Sequence, residues 1–106
     1  MKKVIQFAKK SEKLPYVLVR CAGAGVHAGE LVSRKGDVVE LRNSRRIWRW
    51  EGAASLSELA VFGAKAPTAC RFAVIVERIV LLGAVEVIHC TSAGEQMIRS
   101  CPEWRA

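Results

Sequence analysis

Residues 42–60, RNSRRIWRWEGAASLSELA, constrain the fold most, because they join a basic aromatic strand to the start of a helix. Side chains of an extended chain alternate between its two faces. One face of a strand at residues 45–50 would therefore carry Arg46, Trp48 and Trp50, and the other face would carry two arginines and one isoleucine. Guanidinium and indole groups on one face are unlike an ordinary core strand, and they indicate a binding surface.

The chemistry of this strand favours a flat, anionic, aromatic partner such as a nucleotide. An arginine pairs with phosphate oxygens, and a tryptophan ring stacks on a base. Two arrangements stay open at this point. Either a tryptophan packs in the core beneath the helix while the arginines are solvated, or one tryptophan lies with Arg46 at a pocket or a subunit edge.

Residue types along the whole chain predict a small α+β fold. Short strands joined by tight turns are typical of an antiparallel meander. We expect a basic N-terminal arm or short strand at residues 1–14, and then one domain at residues 15–106. That domain would be a small antiparallel sheet or partly closed barrel of about six strands with two short helices. The predicted strands are residues 16–21, 26–33, 38–42, 45–50, 71–79 and one or two strands within 80–90, and the last helix is 93–101.

Both helix starts are predicted from capping boxes, in which a Ser or Thr hydroxyl and a Glu three residues later satisfy free backbone N–H groups. Ser55 and Glu58 form the first box, and Ser92 and Glu95 form the second. Gly63 is a natural stop for the first helix.

The net charge of +7, from 17 Lys and Arg against 10 Asp and Glu, bears on the partner. Five of the lysines lie within residues 1–13. Such a balance points to nucleic acid, nucleotides or acidic surfaces, although a basic surface can also serve solubility alone. The sequence has no recognisable secretory signal and no apolar run long enough to span a bilayer, so we expect a cytoplasmic protein.

The four cysteines are Cys21, Cys70, Cys90 and Cys101, and none belongs to a C-x-x-C pair. In a reducing compartment such cysteines act mostly as small buried hydrophobes. We expect no disulfide scaffold, no metal site and no cofactor.

Catalysis has little support in the sequence. Cys21 and His27 are conceivable as nucleophile and base, but nothing marks the thiol as activated, and carboxylates at useful spacing are absent. The glycine-rich turn that spans Gly23, Gly25 and Gly29 matches no phosphate-binding motif, so it is either a plain hairpin turn or a lining for a phosphate. Arg20 and His27 flank this turn, where His27 is either structural or a phosphate donor. We expect a protein that is not an enzyme.

Several short motifs give the chain a resemblance to a family of small proteins of unknown function encoded by phages and prophages. The motifs are AGVH at 24–27 with Gly29 and Leu31, RRIW at 45–48 with Trp50, GA at 52–53, SLSELA at 55–60, CRF at 70–72, EVI at 86–88, CT at 90–91, and Trp104. The resemblance covers most of the chain after Pro15. It implies an origin rather than an activity, and it assigns no catalytic residue.

Size, charge and the arginine–tryptophan strand together lead to a functional hypothesis. We expect a phage or prophage binding protein that sequesters a small nucleotide-like anion, by analogy with phage sponges that withdraw cyclic signals of bacterial immunity. It would be a homo-oligomer with a pocket shared between subunits, in the cytoplasm of the host. A DNA- or RNA-binding module and an inhibitor of a host protein are the alternatives. The expected ligand-binding residues are Arg20, His27, Arg45, Arg46, Trp48, Arg49 and Trp50.

Overall fold

The computed structural model describes residues 13–106, so most of the expected basic arm at 1–14 lies outside the described residues. Within this range the chain forms six strands, two α-helices and one short 3-10 helix at Pro67–Ala69. The strands are β1 (Tyr16–Cys21), β2 (Gly25–Lys35), β3 (Val38–Arg49), β4 (Arg71–Phe72), β5 (Val76–Leu81) and β6 (Ala84–His89), and the helices are α1 (Leu56–Phe62) and α2 (Ser92–Ser100).

The six strands form one antiparallel sheet that is not closed into a barrel. Its order is β4-β3-β2-β1-β6, and β5 also pairs with β3. The long strand β3 therefore has β2 along one side, and both β4 and β5 along the other. The predicted α+β class, with six strands and two helices, is confirmed.

A bulge at Asn43 makes β3 one strand where the sequence predicts two. Gly29 of β2 alone faces both Asn43 and Ser44, because Ala28 pairs with Arg45 and Glu30 pairs with Arg42. Asn43 takes up the extra residue with a φ of 48°, in the left-handed region that Asn tolerates. The inserted residue reverses the alternation of side chains along the second half of the strand.

The sheet has a hydrophobic core on each of its faces, and β3 contributes to both because of this reversal. The helix-side core lies between the sheet and the helices, and consists of Tyr16, Leu18, Ala28, Ile47, Leu59, Ala60, Ala64, Cys70, Phe72, Ile98 and Cys101. The second core lies on the other face, and consists of Val17, Val19, Cys21, Val39, Leu41 and Leu81. Before the bulge β3 contributes Val39 and Leu41 to the second core, and after it Ile47 joins the helix-side core. Strand β1 is buried on both faces because its alternate side chains enter the two cores.

The predicted strand at residues 71–79 is divided into β4 and β5. Phe72 pairs with Ile47, whereas Val76 pairs with Ser44. Four residue steps on one strand thus span three on its neighbour, so regular pairing cannot continue through residues 73–75. Ala73 still donates its N–H to the Arg46 carbonyl at 2.9 Å. The break places the intervening segment beside β3 as a wall rather than as a paired strand.

The first capping box is confirmed, and the second is wrong by one residue. The Ser55 hydroxyl accepts from the Glu58 N–H at 3.1 Å, and the Glu58 carboxylate accepts from the Ala54 N–H at 3.0 Å. In α2 the cap is Thr91 rather than Ser92, and its hydroxyl accepts from the Gly94 N–H at 3.1 Å. Thr91 serves because its hydroxyl also donates to a carbonyl of α1, which fixes where α2 begins.

A half-buried ion-pair network holds α2 against the sheet. Arg99 contacts Glu95 at 2.8 Å on its own helix and Glu30 of β2 at 2.9 Å. Its guanidinium also lies 4.5 Å from the ring centroid of Tyr16 in β1. Burial raises the pKa of Tyr16 to about 12, so this hydroxyl stays protonated beside the arginine. Neither helix of the described residues is long and apolar enough to cross a membrane.

Helix α2 approaches α1 so closely at Gly94 that a larger residue cannot fit. A methyl group at Gly94 would lie 2.0 Å from the carbonyl oxygen of Ala60. Alanine normally favours a helix over glycine by about 1 kcal/mol. Here the clash involves backbone and outweighs that gain, so we expect Gly94→Ala to lower the free energy of unfolding by at least about 2 kcal/mol.

Urea denaturation measures this change, and Gly23→Ala is the matched control. A methyl group at Gly23 meets nothing within 4 Å. The control should stay within about 0.5 kcal/mol of the unsubstituted protein. Equal stability of the two variants would refute the close approach of the helices.

Candidate ligand-binding site

A cleft of about 190 Å³ opens between β2, β3 and the segment that leads from β4 to β5. Its polar side comes from strands β2 and β3, and its apolar side comes from residues 73–79. The lining residues are His27, Ser44, Arg45, Arg46, Ala73, Val74, Val76 and Ile79. No carboxylate is among them, so the cleft combines positive charge with an apolar wall.

Strand register and the Asn43 bulge bring the polar groups together. His27 pairs with Arg46 across β2 and β3, so both side chains project from the same face of the sheet. Ser44 joins them because the bulge has shifted its side chain to that face. Gly29 lies opposite, where a methyl group would be 3.0 Å from the Ser44 Cβ. The absence of a side chain at Gly29 is thus what leaves room for Ser44.

The Ser44 hydroxyl is buried without a hydrogen-bond partner among the described residues. The residue is 0% exposed. An unsatisfied buried hydroxyl costs about 1–3 kcal/mol, so it indicates a site that an external donor or acceptor can complete.

Arg46 is the cleft's exposed cation. Within residues 13–106 it takes part in no ion pair, whereas six other arginines contact carboxylates. Its guanidinium is therefore available to an anionic ligand. The position of Arg46 in the cleft lining is compatible with its predicted role as a ligand-binding residue.

Arg45 has a structural role instead, although it was predicted as a ligand-binding residue. It is 1% exposed, and its Nε–H donates to the Ala73 carbonyl at 2.9 Å. One terminal nitrogen donates to the carbonyls of Ile98 and Cys101, both at 2.8 Å, and the other donates to that of Phe72 at 3.3 Å. These four hydrogen bonds occupy the guanidinium, so Arg45 holds the chain together while adding positive charge behind the cleft.

His27 lines the cleft as a neutral ring. It is 1% exposed, and its Nε2 lies 2.9 Å from the Ala24 carbonyl oxygen, to which it donates. Burial lowers the pKa of His27, although that hydrogen bond opposes the effect. With Nε2 carrying the proton, Nδ1 is an acceptor rather than a donor. The sequence prediction that His27 donates to phosphate is therefore not supported by its neutral form.

The remaining predicted residues lie outside the cleft lining. Arg20 pairs with Glu86 at 2.8 Å, and Arg49 pairs with Glu51 at 2.7 Å. Trp50 is half-buried against the helix-side core, so it does not share an open face with Arg46 as the alternation predicted. A register shift between Ile47 and Arg49 accounts for this difference.

Trp48 remains on the surface, where it contacts Trp104, a residue that the sequence did not assign to a site. Its ring stacks with that of Trp104, and Arg71 lies over the Trp104 ring. Trp104 follows α2, so its approach to β3 depends on the tertiary fold. Sequence reasoning also missed Ser44, which looks like a turn residue, and the apolar wall at residues 73–79. The only local signal for Ser44 was a small polar residue beside Asn43.

The chemistry of the cysteines does not favour the conceivable Cys21–His27 pair. Burial raises the pKa of Cys21, although the positive charge of Arg46 opposes it, so the thiol stays protonated at neutral pH. Burial likewise raises the pKa of Cys90 to about 11. Among residues 13–106, no three His, Cys, Asp or Glu side chains are grouped so that they could hold a metal ion.

The open six-stranded sheet with two helices on one face defines a small α+β domain. Residues 14–98 match the family model described as "Domain of unknown function (DUF6948)", and the chain belongs to this family. Comparison with curated proteins gave no match, and comparison with solved structures gave none either. The expected membership in a family of unknown function is confirmed.

The buried neutral His27 makes stability depend on pH. The unfolded chain binds a proton near the ordinary histidine pKa of about 6.5, whereas the folded chain binds it only at lower pH. The contribution of His27 is therefore complete above about pH 6.5 and is lost as the pH falls toward the lowered pKa. We expect the free energy of unfolding to fall as the pH is lowered below about 6.5.

His27→Gln separates this effect from the titration of carboxylates. Glutamine keeps an N–H donor for the Ala24 carbonyl but does not titrate. Urea denaturation across this pH range should give a shallower loss for the variant than for the unsubstituted protein. Parallel curves would show that His27 is not the group responsible.

Proposed function

We propose that this protein is a non-catalytic binder that sequesters a small, anionic, nucleotide-like ligand, with a phosphate group held by Arg46 and Ser44. The observation that carries the proposal is the buried Ser44 hydroxyl, without a partner among the described residues, beside an arginine free of ion pairs in that same range. A phosphate oxygen would pair with the guanidinium, and it would accept from the hydroxyl, which is 0% exposed, once the apolar wall at residues 73–76 moved aside.

Charge in the cleft supports an anion over a neutral ligand. Arg45 and Arg46 are the charged residues of the lining, and no acidic side chain opposes them there. Arg45 is buried, so water screens its charge less than that of a surface arginine. His27, as a neutral acceptor, would receive a hydroxyl of the ligand rather than a phosphate oxygen.

The size of the cleft limits what one subunit can enclose. Pockets that enclose a drug-sized ligand measure roughly 300–1,000 Å³. A cleft of about 190 Å³ suits a phosphate with part of a sugar, while the rest of a nucleotide would extend outside. A cyclic dinucleotide would need a second subunit to cover it, so the proposal includes a homo-oligomer with facing clefts.

The proposed setting is that of a phage or prophage protein in the host cytoplasm, which withdraws a cyclic nucleotide signal of bacterial immunity. Support for this setting comes from the small size, the net charge of +7 and the arginine and tryptophan residues at positions 45–50. This setting rests on an analogy with phage proteins that sequester cyclic nucleotides, and the chemistry of the cleft does not depend on it.

Binding of single-stranded nucleic acid is the second candidate, and the exposed Trp48 and Trp104 favour it. Bases of any sequence can stack on such rings while basic residues follow the backbone. This function predicts affinity that increases with strand length and falls steeply with salt. A small-ligand binder predicts a fixed stoichiometry and a gentler dependence on salt.

Calorimetric titration with nucleoside monophosphates and cyclic dinucleotides tests the leading proposal. We expect Arg46→Ala to weaken binding by roughly tenfold or more, because a charge-assisted hydrogen bond contributes about 1.5–3 kcal/mol. Arg20→Ala is the control, since Arg20 pairs with Glu86 and does not line the cleft. It should bind like the unsubstituted protein.

Native mass spectrometry of the purified protein complements the titration, because it reports the subunit number and any retained small molecule together. The proposal loses its basis if none of these nucleotides binds, or if both arginine variants bind them equally well.

A further inference from the structure

Two tryptophan rings lie stacked on the surface, outside the lining of the cleft. The ring centroids of Trp48 and Trp104 are 6.4 Å apart, with 20° between the planes. If the planes are in van der Waals contact at about 3.5 Å, the rings are offset by roughly 5 Å. Much of each ring is then uncovered, in agreement with exposed fractions of 58% for Trp48 and 44% for Trp104.

The chain fixes Trp104 without needing its indole ring as an anchor. The Trp104 N–H donates to the Phe72 carbonyl at 2.9 Å, and Glu103 forms a β-bridge with Phe72. The Arg71 guanidinium lies 5.1 Å from the centroid of the Trp104 ring and helps to orient it. The two rings are therefore held in place before any ligand arrives, which lowers the entropic cost of binding on them.

Trp48 also lies at a useful distance from the proposed phosphate site. It follows Arg46 by two residues, and both side chains are exposed on either side of the buried Ile47. Two residues along an extended strand span about 7 Å. One pentose can bridge a separation of that size between a phosphate and a base.

We propose that the Trp48–Trp104 pair recognises the base of a nucleotide whose phosphate lies in the cleft, an inference that rests on the proposed function. The ligand class is thus a nucleotide rather than a bare phosphate or a sugar phosphate. Stacking on indole accepts every base, because each base has a π-face. The four common nucleoside monophosphates should accordingly bind with affinities within a few-fold of one another.

Comparison of GMP with ribose 5-phosphate isolates the contribution of the base. Both molecules carry a phosphate and a ribose, and only GMP can stack. In calorimetric titrations of the full chain, we expect GMP to bind roughly tenfold more tightly than ribose 5-phosphate. Trp48→Ala should reduce this ratio toward one, whereas Trp48→Phe should retain most of it.

Two further variants make the test specific. Trp104→Ala removes the second ring, which lies outside the six strands, so this variant replaces Trp48→Ala if the latter fails to fold. It should also lower the ratio of the GMP affinity to the ribose 5-phosphate affinity. Arg46→Ala should weaken GMP and ribose 5-phosphate alike and leave their ratio unchanged. A ratio that depends on the tryptophans but not on Arg46 would support a separate base site.

The outcomes distinguish this inference from the proposed function. If ribose 5-phosphate and GMP bind equally well in an Arg46-dependent manner, the base site is refuted while the phosphate cleft stands. If neither binds, both are refuted. If oligo(dT) binds far more tightly than dTMP and its affinity increases with length, the rings serve single-stranded nucleic acid and the small-ligand assignment is overturned.

Discussion

The buried guanidinium of Arg45 is the interaction on which the rest of the structure depends. It donates to carbonyls at the end of β4 and to carbonyls at the end of α2, so one side chain joins β3 to two segments distant in sequence. The carbonyls of Ala73, Ile98 and Cys101 lie where regular pairing has ended and would otherwise be unsatisfied, whereas that of Phe72 also accepts from the Trp104 N–H. Arginine suits this position because its planar group presents several donors in fixed directions and keeps its charge when buried. The ring of Phe72, 5.6 Å away, covers the cation further.

The bulge at Asn43 turns one basic strand into two kinds of surface. If side chains alternated regularly through Asn43, Arg45 would lie on the face of Val39 and Leu41, inside the second core. Because of the bulge, Arg45 lies on the helix side, where it donates to backbone carbonyls, and Ser44 and Arg46 project toward the cleft. Because Gly29 opposes the bulge without a side chain, the inserted residue is accommodated at close range. A single backbone irregularity thus sets both the fold of this region and the composition of the candidate site.

Sequence reasoning reached the class of fold because hydrophobic patterning and turn chemistry are local. Ser55, Glu58 and Gly63 specify α1 through contacts within a few residues, and the turn around Gly36 forms with positive φ as its chemistry requires. The candidate site was predicted only in part, since its members depend on register. Alternation placed Arg45 and Arg46 on opposite faces but could not tell which face is buried. It also could not reveal the register shift after Ile47, so Trp50 looked equivalent to Trp48. Salt bridges to distant residues, such as Arg20 with Glu86, are equally invisible in a linear chain. Ser44 could be recognised as unusual only once its burial was known.

Arg45 stabilises the fold, whereas Arg46 is available to bind a ligand. Equilibrium unfolding of the two methionine variants tests this difference most directly. Methionine keeps an unbranched apolar stem at either position while removing the guanidinium. Arg45→Met leaves several buried carbonyls without a partner, so the free energy of unfolding should fall by about 3 kcal/mol or more. Arg46→Met removes an exposed side chain and should change stability by no more than about 0.5 kcal/mol. Similar losses for the two variants, or a larger loss at Arg46, would contradict this account.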